Sequence, residues 1–144
     1  MSETMEYRKP LPRPDEDSQE FWEAVKRHEF RLQRCLDCGT YRFPPRRLCN
    51  NCLSENSEWS LASGKGEVYS HVVFHQVYHP AFADEVPYTV ATIQLAEGPK
   101  MYSNIVGCRP DEIRIGMPVE VCFDDVTAEV TVPRFRPSTT DPTR

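Results

Sequence analysis

Residues 32–52 read LQRCLDCGTYRFPPRRLCNNC and contain two pairs of cysteines, Cys35 with Cys38 and Cys49 with Cys52. Two residues separate the cysteines of each pair, so one tight turn can point both sulfur atoms at the same ion. Two such turns supply four sulfur ligands, the tetrahedral shell that Zn²⁺ prefers. Gly39 suits the positive φ that such a turn usually requires. The stretch therefore predicts a zinc ribbon that binds one metal ion per chain.

The same four thiols leave other interpretations open. The spacer between the pairs, residues 39–48, is ten residues long, which is shorter than the roughly 15–20 usual between such pairs. An iron ion in a rubredoxin-like site would have the same four sulfur ligands. Without a metal, the four cysteines would be ordinary buried thiols or would include a redox pair. A closed shell of four sulfurs leaves no position for a substrate, so we expect a structural rather than a catalytic site. The remaining cysteines, Cys108 and Cys122, are expected to fill space in the barrel described below.

Upstream of the cysteines, the sequence predicts an extended arm (residues 1–14) and one short helix (residues 15–28). Three prolines and the lack of apolar periodicity indicate the arm. Ser18 is a candidate N-cap, and Phe21, Trp22 and Val25 form an apolar stripe at helical spacing over about three turns. A stripe this short cannot hold a helix alone, so it must pack against the domain or a partner.

From Glu29 onward, the hydrophobic pattern predicts strands. Phe30 and Leu32 alternate with the polar residues Glu29, Arg31 and Gln33, and a second short strand follows at 41–43; this ribbon is expected to span residues 29–60. Five further strands are expected at 67–78, 87–96, 101–106, 119–126 and 128–132, with a loop at 79–85 and one helical turn within 110–115. This mainly β pattern predicts a five-stranded OB-fold barrel over 61–136, with a small SH3-like barrel as the alternative, and a disordered tail at 137–144.

Composition narrows the class of function. The chain has 144 residues and a formal net charge of -5, which disfavours a general nucleic-acid binder, since such proteins are normally basic. It has no apolar run near the roughly 20 residues that span a bilayer, and we expect a cytoplasmic protein that does not enter a membrane. Residues 26–47 carry seven basic and two acidic side chains, a local net charge of +5. An anionic ligand is therefore expected at this stretch first.

Two further groups of residues could carry chemistry. His71, His75 and His79 recur every four residues, which places His71 and His75 on one face of a strand. They could bind a metal or move protons, or they could line a half-exposed face or an interface. Five aromatic residues on predicted strands could stack nucleic-acid bases or belong to the core or an interface: Tyr69, Phe74, Tyr78, Tyr88 and Tyr102.

An ordered set of motifs resembles the domain-of-unknown-function-35 family. The motifs are Phe21-Trp22, Leu32-Gln33-Arg34-Cys35, Phe43-Pro44-Pro45-Arg46, Cys49 with Cys52, Trp59, Ser63-Gly64 with Gly66, Pro87-Tyr88, Glu97-Gly98, Ile115-Gly116-Met117-Pro118 and Phe135-Arg136-Pro137. The chain departs from the pattern at Leu53, where many ribbons carry glycine. The resemblance implies an N-terminal helix, a rubredoxin-like zinc ribbon and an OB fold. It also implies an accessory subunit of thiolase-like enzymes that is associated with acyl-CoA, and it carries over no catalytic residue.

The resemblance directs attention to the basic stretch as an acyl-CoA site. Arg46, Arg47 and Lys65 are the candidate contacts for the coenzyme A phosphates, and Tyr41 or Phe43 could stack on adenine. The alternative is that these residues balance the thiolate charge, together with Arg34 and Arg42, and pack the ribbon.

Three hypotheses of function follow. The first is a non-catalytic subunit that binds acyl-CoA or completes the active site of a thiolase-like, aldolase or hydratase partner in a hetero-oligomer. The second is a stand-alone acyl-CoA hydrolase or transferase that uses His71 or His75. The third is an OB-fold protein that binds single-stranded nucleic acid.

Overall fold

The computed structural model describes Pro12 and residues 14–75 and 88–138. Within these residues the chain forms one α-helix, one short 3₁₀ helix at Pro110–Glu112 and eight strands. The elements are α1 (Gln19–Lys26), β1 (Arg31–Cys35), β2 (Tyr41–Arg42), β3 (Ser57–Leu61), β4 (Lys65–Phe74), β5 (Tyr88–Leu95), β6 (Lys100–Asn104), β7 (Pro118–Asp125) and β8 (Thr131–Pro137). The helix in this part of the chain is too short and too polar to cross a bilayer.

The strands form two antiparallel sheets. The ribbon sheet has the order β2-β1-β3, and the second sheet has the order β6-β5-β4-β7-β8. A parallel bridge between Ile105 and Phe135 brings the two ends of the second sheet together, so the five strands form a nearly closed barrel. The prediction of a mainly β chain with a short helix, a cysteine ribbon and a five-stranded barrel is confirmed.

Helix, ribbon and barrel share one hydrophobic core. The Phe21 ring of α1 meets the Phe43 ring of the ribbon edge-on, with centroids 5.2 Å apart, and the Phe30 ring at 6.1 Å. Phe30 in turn meets Phe135 of β8 at 6.2 Å. Since Phe21 and Phe135 are almost completely buried, this row of rings ties the three parts together, and it supplies the packing that so short a helix needs.

Helix α1 differs from its prediction at both ends. It has eight residues, about two turns rather than three. Ser18 precedes the helix, but its hydroxyl accepts a hydrogen bond from the Asp15 N–H instead of capping the first turn. At the other end, His28 adopts φ +63 and so stops the helix. Its ring stacks on Phe123 at 5.0 Å and lies 2.9 Å from an oxygen of Asp125, which holds the end of α1 on β7.

Three strand predictions need correction. Alternation predicts Gln33 on the polar side of β1, but the residue is buried, because its amide oxygen accepts a hydrogen bond from the Arg46 N–H. Strand β3 was not predicted; it forms because all five of its residues pair with β1. The last strand runs from Thr131 to Pro137 rather than over 128–132. Pro133 is tolerated within it because β8 ends the sheet order, where a missing N–H breaks no ladder.

The turn that joins ribbon to barrel requires both of its glycines. Gly64 has φ +75, and a Cβ on it would lie 2.5 Å from Val121 Cγ1. A Cβ on Gly66 would lie 2.7 Å from the carbonyl oxygen of Gln94 on β5. The turn therefore brings β4 close to both neighbouring strands.

Some predictions fall on residues that the structure does not describe. These are most of the N-terminal arm, the end of the long strand at 76–78, the loop at 79–85 with His79, and residues 139–144 of the tail. The first two tail residues are ordered, because Pro137 belongs to β8 and the Ser138 N–H donates to the Pro118 carbonyl at 3.0 Å.

Candidate metal centre and ligand groove

The two cysteine turns have the same backbone geometry. In the first turn, the Cys35 N–H donates to the Thr40 carbonyl and the Gly39 N–H to the Cys35 carbonyl, both at 2.9 Å. In the second turn, Cys49 and Leu53 repeat the two bonds at the same distance, with Ser54 in the place of Thr40. Gly39 and Leu53 hold equivalent left-handed positions, with φ +79 and +65. Leu53 thus adopts the conformation for which glycine is usual.

The two turns bring four sulfur atoms together. All four Sγ atoms lie within 4.8 Å of one another, and the pairs Cys35–Cys52 and Cys38–Cys49 are each 3.6 Å apart. A tetrahedral ion with metal–sulfur bonds of about 2.3 Å requires sulfurs about 3.8 Å apart. The predicted clustering of the four cysteines is confirmed, and their number, softness and spacing fit one tetrahedral ion.

Neighbouring groups favour the thiolate form at two of the four sulfurs. The Asn51 amide and the Thr40 hydroxyl lower the pKa of Cys38 to about 5. The backbone N–H of Cys38 and that of Asp37 lower the pKa of Cys35. Thiolates are the form that binds a metal, so these donors prepare the cluster for one.

The pKa of the Cys52 thiol is shifted in the opposite direction from those of Cys35 and Cys38. The Ser54 N–H lowers the pKa of Cys52, but the Cys35 thiol, the loss of solvation and the thiols of Cys38 and Cys49 together outweigh it, and the net pKa rises to about 12. Thiols that crowd one another resist sharing several negative charges. A bound cation removes this penalty, because its charge offsets that of the thiolates.

Two buried polar side chains fix the segment that leads to the second cysteine turn. Gln33 is 7% exposed, and its Oε1 accepts a hydrogen bond from the Arg46 N–H at 2.8 Å. Arg42 is 3% exposed, and its Nε and Nη2 donate to the Arg46 carbonyl at 3.1 and 2.9 Å. Neither role is evident from the sequence, since alternation predicts a surface position for Gln33 and the charge of Arg42 does not indicate burial.

A groove of about 570 Å³ lies between the ribbon and the turn that joins β5 to β6. Residues 39–43 and Asn50 line one side, and residues 97–100 line the other. The volume is in the range of small-molecule sites. Two lining side chains have buried atoms without a hydrogen-bond partner in the described part of the chain, Arg42 Nη1 and Glu97 Oε1.

The structure distributes the five candidate acyl-CoA residues over three places. Tyr41 and Phe43 line the groove, although the Phe43 ring is also used in the contact with Phe21. Arg46 and Arg47 are exposed on the fixed segment outside the groove lining. Lys65 lies on the barrel, where its Nζ is 3.1 Å from Glu120 Oε1. The groove thus brings together the two aromatic residues but none of the three cations.

The other candidates are likewise separated. His71 pairs with the buried Ala91, which turns it toward the barrel interior, and its Nδ1 is buried without a partner in the described residues. His75 is exposed just beyond the end of β4. Cys108 packs against the core as expected, whereas Cys122 lies opposite Arg134 and is not part of that core. Burial raises the pKa of both thiols.

Two family models match adjoining parts of the chain. The model of the ChsH2 rubredoxin-like zinc ribbon domain matches residues 22–58, and that of the ChsH2 C-terminal OB-fold domain matches residues 59–124. They meet within β3, so the match includes both the cysteine cluster and most of the barrel.

Similar proteins with curated names include subunits and scaffolds. A probable enoyl-CoA hydratase alpha subunit of Thermomonospora curvata is 42% identical over 130 residues, which is 90% of this chain but 40% of that protein. A DUF35 domain-containing scaffold protein of Methanothermobacter thermautotrophicus is 38% identical over 110 residues, or 75% of this chain and 82% of that protein. This chain therefore spans less than half of the hydratase subunit and most of the scaffold protein.

One solved structure has a similar fold over most of this chain and nearly all of its own. A chain of the Ltp2-ChsH2(DUF35) aldolase superposes with a TM-score of 0.80 and 42% sequence identity. The match covers 88% of this chain and 98% of that chain.

Proposed function

This chain belongs to the DUF35 family, and we propose that it is an accessory subunit of an enzyme that processes acyl-CoA thioesters. One observation carries the proposal: relatives that match across both ribbon and barrel are named as a hydratase subunit, a scaffold protein and part of an aldolase. In this proposal the chain has no catalytic activity alone and works as part of a hetero-oligomer in the cytoplasm.

The cysteine cluster is proposed to hold one structural zinc ion. Cys35, Cys38, Cys49 and Cys52 would be its ligands, and the ion would supply the bonds that keep the two turns together. Elemental analysis of the purified protein should give about one zinc per chain. Because the affinity of such sites is largely folding free energy, Cys49→Ser should release the metal and disorder the ribbon, which amide NMR spectra would detect.

The control for the metal experiment is Cys122→Ser, which changes a thiol outside the cluster. It should keep the metal and the ribbon signals. Purified protein that contains iron instead of zinc would correct the identity of the ion. Metal-free protein with an unchanged melting curve would contradict a structural metal.

The groove beside the ribbon is proposed to hold part of acyl-CoA. Tyr41 offers an aromatic face to adenine, and Lys100 on the opposite wall is a cation for a phosphate. Arg46 and Arg47 are exposed on the adjoining segment, where their guanidinium groups would reach phosphates beyond the groove; the Arg46 Nε also makes a long contact of 3.5 Å with the Pro44 carbonyl. Lys65 is the weakest of the candidates, because Glu120 already neutralises it.

Calorimetric titration with coenzyme A tests these contacts. Arg46→Ala and Tyr41→Ala should each weaken binding severalfold or more. Arg109→Ala is the matched control, since its side chain is exposed and lies outside the groove. Equal affinities for all three variants would show that coenzyme A binds elsewhere or only in the complex.

Co-purification from the native host tests the subunit proposal directly. A tagged chain, washed at high salt, should retain one enzyme of acyl-CoA metabolism in a fixed ratio. Recovery of the chain as a free monomer would refute the proposal. So would turnover of acyl-CoA by the isolated chain that His75→Ala abolishes, because the chain would then be an enzyme by itself.

A further inference from the structure

Two charged side chains on opposite walls of the groove each have one buried atom without a hydrogen-bond partner among the described residues. The atoms are Arg42 Nη1 on the ribbon side and Glu97 Oε1 on the turn between β5 and β6. The Arg42 side chain makes no ion pair with a carboxylate in the described part of the chain, although the residue is only 3% exposed. Because a buried polar atom without a partner is costly, the pair indicates a bound molecule that supplies both partners.

Other atoms of the same two side chains already hold them in place. The Nε and Nη2 of Arg42 donate to the Arg46 carbonyl at 3.1 and 2.9 Å. The Oε2 of Glu97 accepts a hydrogen bond from the Ser63 N–H at 2.9 Å. The groove therefore presents one donor and one acceptor on side chains that are fixed before a ligand arrives, which lowers the entropic cost of binding.

The opposite charges of the two walls restrict the chemistry of this ligand. A phosphate would be attracted to Arg42 but repelled by the Glu97 carboxylate, and an ammonium group would meet the reverse arrangement. A neutral group that accepts from one wall and donates to the other satisfies both atoms. A secondary amide is such a group, because its planar trans geometry points the C=O and the N–H in opposite directions.

Coenzyme A has secondary amides only in its pantetheine arm, between the phosphates and the sulfur. We propose that the groove holds this arm, with one amide between Arg42 and Glu97 that accepts a hydrogen bond from Nη1 and donates one to Oε1. The inference rests on the proposed function and specifies which part of acyl-CoA lies in the groove. The phosphates then lie outside it, where Arg46 and Arg47 are exposed.

Glu97→Gln tests the acceptor, since it keeps the shape of the side chain and removes its charge. In titration calorimetry with coenzyme A and, separately, with phosphopantetheine, we expect this variant to bind each probe at least tenfold more weakly than the wild type. Glu55→Gln is the matched control, because it makes the same change at an exposed position outside the groove lining. It should bind both probes as the wild type does, and both variants should keep the wild-type melting curve. Equal affinities of Glu97→Gln and wild type for coenzyme A would overturn the inference and leave the proposed function standing.

A change in the ligand tests the same contact without altering the chain. Analogues of phosphopantetheine in which one amide N–H is replaced by an ester oxygen have lost the donor to Glu97. One of these analogues should bind the wild type at least tenfold more weakly than phosphopantetheine. The same analogue should bind Glu97→Gln no more weakly than phosphopantetheine does, because the contact is already missing. Losses that simply add would show that Glu97 does not contact the amide, which contradicts the inference.

Two other results would overturn the choice of ligand group. Glu97→Gln could weaken the binding of adenosine 3′,5′-bisphosphate and not that of phosphopantetheine, and the adenine end would then lie between the walls. A crystal structure with coenzyme A could retain a water between Arg42 and Glu97, and the water would then be their partner. If the isolated chain does not bind coenzyme A, the same titrations are made with its co-purified complex. If the complex does not bind it either, the proposed acyl-CoA function fails and takes the inference with it.

Discussion

Replacement of Gly64 by alanine should be among the most destabilising single-methyl additions in the barrel. The position combines two penalties. Its φ of +75 is unfavourable for any side chain, which costs about 1–2 kcal/mol. The added methyl would also lie 2.5 Å from Val121 Cγ1, and overpacking of this kind costs about 1–3 kcal/mol. Alanine also restricts the unfolded chain, which offsets about 0.5–1 kcal/mol of this loss, so we expect a net loss of about 1–4.5 kcal/mol.

Two other glycines separate the penalties. Gly116 has φ +88 and no atom within 4 Å of a built Cβ, so Gly116→Ala measures the backbone term alone, about 1 kcal/mol. Gly66 has no positive φ, but its Cβ would lie 2.7 Å from the Gln94 carbonyl oxygen. Gly66→Ala therefore measures the steric term, against a sheet backbone that moves only by disturbing the β4–β5 pairing.

Urea unfolding followed by circular dichroism gives the free energies, and the melting temperature should fall by about 2–4 °C per kcal/mol in a chain of this size. The double variant Gly64→Ala/Val121→Ala should recover part of the loss, because it removes the atom that the new methyl meets. The reasoning is refuted if Gly64→Ala and Gly116→Ala differ by less than about 0.5 kcal/mol, or if the double variant shows no coupling.

Three further outcomes are expected. Phe21→Ala should lower the free energy of unfolding by about 3–5 kcal/mol, because its buried ring joins helix, ribbon and barrel; Tyr102→Ala, at an exposed position, should change it by less than about 0.5 kcal/mol. His28→Ala should melt at a lower temperature than His28→Gly. Both variants lose the contacts with Phe123 and Asp125, but only alanine keeps a side chain at φ +63. A higher melting temperature for His28→Ala would contradict this. The Thr131 hydroxyl and the His28 ring lower the pKa of Asp125, so its contribution to stability is complete at neutral pH and is lost as the pH falls below about 4. Asp125→Asn should flatten the acid side of a plot of melting temperature against pH, and identical acid limbs would disprove the contribution.

The cysteine cluster is the part of the site that could be predicted from sequence. Its geometry is repeated within two segments of about six residues, so the spacing of Cys35 with Cys38 and of Cys49 with Cys52 was enough to indicate it. The groove could not be predicted in the same way. Its two walls, residues 39–43 and 97–100, are more than fifty residues apart in the chain. No local sequence pattern predicts that they lie close together in the fold.

Gln33 and Lys65 are two residues whose positions local sequence patterns do not predict. Alternation placed Gln33 on the surface, yet a backbone N–H thirteen residues away draws it inside, since a buried amide is stable only when it is hydrogen-bonded. Charge alone suggested Lys65 as a phosphate contact, whereas the pairing of β4 with β7 places it opposite Glu120. In both cases the deciding partner is distant in sequence.

The amino-acid sequence by itself determined the positions of the helix and of most strands and the four-thiol cluster. These depend on the conformations open to a few consecutive residues. Tertiary structure alone decided that helix, ribbon and barrel share one core and that a groove lies between the ribbon and the turn that joins β5 to β6. The physical reason is that burial, pairing and exposure are properties of surfaces brought together by folding, and each surface combines residues from several strands.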